Sequence, residues 1–197
     1  VQAVSCHRPP HEGCLVPEAL TMQLPAGTKG CLALAFSLDG RYLVAGCCEA
    51  AHAYVQVFDV MHAFKCVVDI EAHSDTIYGV AFGPQARQLL SYSSDGFAKV
   101  WDLPWLDPAG PNDARDDTPS PTAVFLHPSR VYCACFHPRA PVVLTGCFDG
   151  HVRAWSIGSG MVLNVLPPHS KWVTSIALAA DGTWLVSADG GGAVQVW

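Results

Sequence analysis

Histidine, serine and aspartate stand together at His73, Ser91 and Asp95, and the set returns with threonine at His127, Thr145 and Asp149. These are the side-chain types of a hydrolytic triad, in which imidazole takes the proton of a hydroxyl nucleophile and a carboxylate orients the imidazole. A tryptophan follows each hydroxyl by ten residues, at Trp101 and Trp155. A third set, His169, Ser187 and Trp197, keeps that spacing, but six residues before Trp197 stands Gly191, and Asp189 comes two residues too early. An indole N–H only donates, so a buried tryptophan needs an acceptor; a hydroxyl beside it can accept that bond and pass its own proton to the imidazole. A set that recurs with a tryptophan in it, and without a Gly-x-Ser-x-Gly elbow, reads as a buried structural relay. No catalytic residue is expected, and the relay of the third set is expected to be incomplete.

The elements that must hold these relays repeat with them. The tryptophan position falls at 58 (as Phe58), 101, 155 and 197, giving intervals of 43, 54 and 42 residues. Periods of roughly 40–45 residues in a His…Trp-Asp frame are the signature of WD-type propeller blades, each a four-stranded sheet. The first copy is degenerate, with Ala45 in the hydroxyl place and no histidine. Turn signals at Leu38-Asp39-Gly40, Ser94-Asp95-Gly96, Phe148-Asp149-Gly150 and Ala180-Asp181-Gly182 separate short apolar runs, and no run has a helical period. The expected fold is therefore all-β: a WD-repeat β-propeller over 18–197 in four four-stranded blades (28–70, 71–126, 127–168 and 169–197), behind a flexible leader at 1–17. Inner strand triplets are expected at 31–36, 41–47 and 53–59; 76–82, 88–93 and 97–102; 130–136, 141–146 and 151–156; and 172–178, 183–188 and 192–197. Outer strands are expected at 64–70, 121–126 and 161–166. The array reads as an arc of a larger, seven-bladed ring; a four-bladed ring closed by a strand at 19–24 beside 192–197 is the other arrangement. Residues 106–121, acidic and proline-rich, cannot pair as a strand and should form an exposed loop.

Bulk composition narrows the function classes. The 197 residues are 50% apolar and 14% charged, enough to build a core. With 11 basic residues against 17 acidic and a net charge of −6, no nucleic-acid footprint is expected. No apolar run exceeds a strand in length, so no membrane insertion is expected, and no secretory leader is expected. Nine cysteines, odd in number and irregularly spaced, read as buried free thiols of a reducing compartment rather than as a metal site. Gly190-Gly191-Gly192 lacks the Gly-Lys-Ser/Thr of a phosphate loop. No cofactor, metal or small-molecule substrate is expected.

The relay motifs, with Leu126-His127-Pro128-Ser129-Arg130-Val131-Tyr132 through Val143-Leu144-Thr145-Gly146-Cys147-Phe148-Asp149 and Leu90-Ser91-Tyr92-Ser93-Ser94-Asp95-Gly96, carry a resemblance to the WD-repeat family, and within it to the jouberin family of ciliary scaffolds. The match covers most of residues 28–197. The resemblance implies a non-enzymatic, cytoplasmic scaffold that binds other proteins in cilium assembly, at the basal body and transition zone. The alternative is a peptide-reading receptor, a ubiquitin-ligase substrate adaptor or chromatin reader. Such adaptors often carry arginine two residues after the Trp-Asp pair, where this chain has Leu103-Pro104 and Ile157-Gly158. In WD propellers partners often sit on the face reached by the third and fifth residues after the relay histidine and by the residue before the relay aspartate. In this sequence these are Thr76, Tyr78 and Ser94; Arg130, Tyr132 and Phe148; and Trp172 and Thr174. Aromatic side chains and arginine are enriched at interfaces.

Overall fold

The structure, a computed structural model, describes residues 24, 30–49, 52–84, 87–106 and 119–197. Among the described residues fifteen strands form four antiparallel sheets. Sheet one holds β1 (Gly30–Phe36), β2 (Tyr42–Glu49), β3 (His52–Asp59) and β4 (Lys65–His73). Sheet two holds β5 (Ile77–Phe82), β6 (Gln88–Ser93), β7 (Phe97–Asp102) and β8 (Ala123–Leu126). Sheet three holds β9 (Val131–Phe136), β10 (Val142–Cys147), β11 (Val152–Ser156) and β12 (Val162–Val165). Sheet four holds β13 (Val173–Leu178), β14 (Leu185–Asp189) and β15 (Val194–Val196). The one helical element among the described residues is a single 3-10 turn, Pro104–Leu106.

Each sheet is a meander of strands in chain order, and all connections within the sheets are short except that between β7 and β8, which spans residues 103–122. The strands fall within a few residues of the expected ones. The main departure is β4, which does not stop at Ile70 but continues to His73, where it pairs with Ala53. Sheet one thereby delivers the first relay histidine directly to sheet two. The expected strand at 19–24, apart from Leu24, the leader at 1–17 and most of the acidic segment lie outside the described residues.

Three apolar layers lie between successive sheets. Sheets one and two enclose Val44, Val55 and Val57 with Ile77, Leu89 and Trp101. Sheets two and three enclose Leu90, Val100 and Phe125 with Val131, Val143 and Trp155. Sheets three and four enclose Cys133, Leu144 and Val152 with Val173 and Leu185. Alternation along each strand thus feeds two different cores, one on each face of the sheet.

The second and third junctions are each fixed by a glycine turn gripping the start of the next sheet. Gly96 and Gly150 have positive φ, +85° and +83°, and their carbonyls accept the backbone N–H of His127 and His169, each at 2.9 Å. A Cβ on Gly150 would stand 2.8 Å from the His169 carbonyl oxygen, so both conformation and space require glycine.

Candidate interaction surface

The relays are built as hydrogen-bond chains behind the surface. In sheet two the Trp101 indole N–H donates to Ser91 Oγ at 3.0 Å, the Ser91 hydroxyl donates to His73 Nε2 at 2.9 Å, and His73 Nδ1–H donates to Asp95 at 2.9 Å. Asp95 also accepts the amides of Ser74 and Phe97, tying the histidine to the turn that begins β7. Burial alone would push the Asp95 carboxyl up, but the His73 bond and those amides hold it below the usual carboxylate range. Burial lowers the His73 imidazole, although Asp95 opposes the shift.

In sheet three the expected quartet is only partly assembled. Trp155 donates to Thr145 at 2.9 Å and Thr145 bonds His127 Nε2 at 2.8 Å, but His127 Nδ1–H donates to the Phe125 carbonyl at 3.1 Å rather than to Asp149. Asp149 turns instead to Arg153, whose guanidinium grips both carboxylate oxygens. A bidentate, charge-assisted pair outcompetes a neutral imidazole for the carboxylate. Burial, with the cationic Arg153 beside it, pushes the His127 imidazole down to about 4, although the Phe125 and Gly96 backbone and the Asp149 charge oppose the shift.

In sheet four Trp197 and His169 converge on Ser187 at 2.9 and 2.7 Å. Asp189 is buried beside them, yet its carboxylate lies 3.6 Å from His169 Nδ1, too far for a hydrogen bond, and accepts Ser170, Gly191 and Ala193. His169 Nδ1 is left without a partner. Sheet one has no relay; Ala45 and Phe58 pack there in an apolar cluster with Cys47. Ser91, Thr145 and Ser187 are fully buried, so no substrate reaches these hydroxyls. The cysteines among the described residues are free thiols, though Cys66 is exposed. Burial raises Cys133 to about 12 and Cys135 to about 11, away from thiolate reactivity. Among the described residues no cluster suits a metal ion.

The exposed side chains are aimed by a repeated irregularity. The first strand of every sheet carries one extra residue opposite its neighbour, at Leu32, Tyr78, Tyr132 and Thr174. A bulge of this kind breaks the alternation and redirects its side chain. Tyr78 and Tyr132 stand 5.1 Å apart, Tyr132 and Phe148 6.2 Å, and Phe148 stacks on Trp172 at 6.0 Å with the planes 10° apart. One row of four rings therefore crosses sheets two, three and four. Phe148 and Trp172 remain 45% and 39% exposed within it.

Beside the row lies an open cleft of about 440 Å³ lined by Ser94, Gly96, Ser129, Arg130 and Phe148 among others. Thr76 is placed at its edge, its carbonyl accepting the Ser94 amide at 2.9 Å. Thr174 sits apart, its hydroxyl donating to the Ala188 carbonyl of its own sheet. The structure thus joins Thr76, Tyr78, Ser94, Arg130, Tyr132, Phe148 and Trp172 and leaves Thr174 at the margin. Sequence reasoning missed Gly190, which has no phosphate role: the Trp172 indole lies where a Cβ would stand, and the Gly190 amide donates to the Trp172 carbonyl. It also missed Arg153, whose only signal is its place four residues after Asp149.

The WD domain, G-beta repeat family matches residues 64–102, 119–156 and 160–197, more than half of the chain. With four consecutive sheets of propeller blade type and three hydroxyl–tryptophan relays, the chain belongs to the WD-repeat family. Within it the chain is similar to jouberin of Rattus norvegicus and of Mus musculus, 30% identical in each case over 201 residues. Those alignments cover 100% of this chain and 18% of each jouberin. It is also similar to the target of rapamycin complex subunit wat1 of Schizosaccharomyces pombe, at 26% identity, covering 83% of this chain and 48% of that protein. Among solved structures the computationally designed Ika4 protein shares the fold with a TM-score of 0.66 at 23% identity, covering 89% of this chain and 98% of that one.

Proposed function

We propose that the chain is a non-enzymatic, jouberin-like scaffold that binds other proteins at the basal body and ciliary transition zone, in cilium assembly. The observation that carries the binding part is the row of Tyr78, Tyr132, Phe148 and Trp172. Exposing stacked aromatic rings to water gives an isolated domain nothing, whereas rings of this kind beside an arginine anchor many interfaces. Thr76, Ser94 and Arg130 frame the row as a polar rim, with Thr174 at its margin. The ciliary part rests on the similarity to jouberin along the whole chain.

Proximity labelling of the full-length protein in ciliated cells tests the reading. Enrichment of transition-zone proteins is expected. Enrichment of cullin or histone components instead would replace it with the peptide-reading receptor.

A further inference from the structure

The aromatic row carries its charge unevenly. Arg41, Arg87 and Arg153 each face a carboxylate. Arg130 is exposed at the cleft and, among the described residues, has no such partner. Lys171 is exposed one junction further on. It holds there the place that Ser129 holds at the cleft: the Ser129 backbone lies against Gly96, and the Lys171 backbone lies against Gly150. Phe148 thus has a cation to either side. The Arg130 carbonyl accepts its amide, and Lys171 immediately precedes Trp172, on which its ring stacks.

The carboxylates of this stretch leave both cations unmatched. Asp149 is held by Arg153, and Asp189 is buried on Ser170 and the Gly191 and Ala193 amides. Asp95, which also lines the cleft, is bound to His73 and to the Ser74 and Phe97 amides. Asp75 is exposed, but it lies at the sheet-two end, beside Ser94. In a chain of net charge −6, the part of the row over sheets three and four is therefore basic. All of these residues sit at junctions between sheets inside the chain.

Backbone amides at the cleft are already taken. Those of Ser94, Gly96 and Phe148 donate to the Thr76, Ser93 and Arg130 carbonyls, and that of Asp95 donates to Ser93 Oγ. A phosphate group would find no nest of free amides among them, whereas a carboxylate is matched by one planar guanidinium. On the reading that the row binds other proteins, we infer that its ligand is an extended acidic segment of a partner protein. Aspartate or glutamate side chains of that segment pair with Arg130 and Lys171, and an apolar side chain between them rests on Phe148 and Trp172. Asp75 sets the direction, since it repels carboxylates from the sheet-two end.

Fluorescence anisotropy with four labelled peptides tests this on the 197-residue chain. One peptide has a central leucine flanked on both sides by glutamates; the others replace the glutamates with glutamine, lysine or phosphoserine. The glutamate peptide should bind, less tightly as salt is raised, and the glutamine and lysine peptides should bind at least about tenfold more weakly. Phosphoserine should gain nothing over glutamate. Arg130→Glu and Lys171→Glu, each checked for an unchanged far-ultraviolet spectrum, should each weaken the glutamate peptide about tenfold, and the double variant should take the lysine peptide instead. If Arg130→Glu loses its fold, Arg130→Gln replaces it. Equal binding of all four peptides, binding of none, a preference for lysine or phosphoserine, or glutamate binding indifferent to both variants would each overturn the inference. So would tighter binding of a labelled oligothymidine, the ligand that a basic stacking platform for single strands would prefer. Any of these results leaves the ciliary reading to its own test, and proximity labelling without transition-zone proteins would remove that reading while leaving the peptide preference in place.

Discussion

At the scale of single residues, each relay couples a donor-only indole to a hydroxyl and an imidazole, but the three differ in what holds the far ring nitrogen: Asp95, a carbonyl, and nothing. Trp101 is 2% exposed, so Trp101→Ala should cost about 3–5 kcal/mol through the cavity it leaves, read as a lower midpoint in denaturant. Asp95→Ala should cost about 1–3 kcal/mol, because His73 and two amides lose their acceptor. The depressed His127 imidazole predicts a pH dependence. Its pKa is about 4 in the folded chain against an ordinary 6.5, so the unfolded chain binds the proton more readily. Its contribution is intact above pH 6.5 and is lost as pH falls from 6.5 towards 4, a loss of about 3 kcal/mol. His73 is shifted in the same direction and adds to the slope. Denaturant melts across that window check it: His127→Gln should flatten the slope, and an equal slope in the variant would contradict the assignment.

At the scale of elements, the hydroxyl-to-tryptophan spacing was readable because it reflects two adjacent strands in fixed register: Ser91 and Trp101 lie on β6 and β7, Thr145 and Trp155 on β10 and β11. The bulges were not readable. Strict alternation would return Tyr78 and Tyr132 to a sheet face, and only the pairing of Ile77 with Ser93 and Gly79 with Tyr92 reveals the extra residue. The preference of Asp149 for Arg153 was hidden for a related reason, since it is a competition between partners settled in space. Gly190 is likewise intelligible only once Trp172 lies over it. Gly190→Ala should displace that indole at a cost of about 1–3 kcal/mol, changing the near-ultraviolet dichroism while the far-ultraviolet spectrum stays constant. Leu106 is 1% exposed, so the acidic segment becomes dispensable only after it. Deleting residues 107–118 should leave the melting temperature nearly unchanged, because shortening a loop changes closure entropy little.

At the scale of the whole molecule, stacked sheets with a core on each face were legible from the period alone, while the continuity of the interaction surface was not. Thr76, Tyr78, Arg130, Tyr132 and Phe148 were read blade by blade; the structure links the rings because Phe148, in the turn after β10, bridges Tyr132 and Trp172. The role of that surface is tested most directly by quantitative capture of partners from ciliated-cell extract on the immobilised protein, comparing the parent with Arg130→Glu combined with Trp172→Ala. Arg130 is exposed, but Trp172 stacks on Phe148 and lies over Gly190, so the variant should lose some stability, and its fold is checked by far-ultraviolet dichroism at the temperature of the capture. The account predicts that the proteins retained by the parent, transition-zone components among them, are lost from the folded variant. Equal retention by the two would contradict it and place the binding surface on another face.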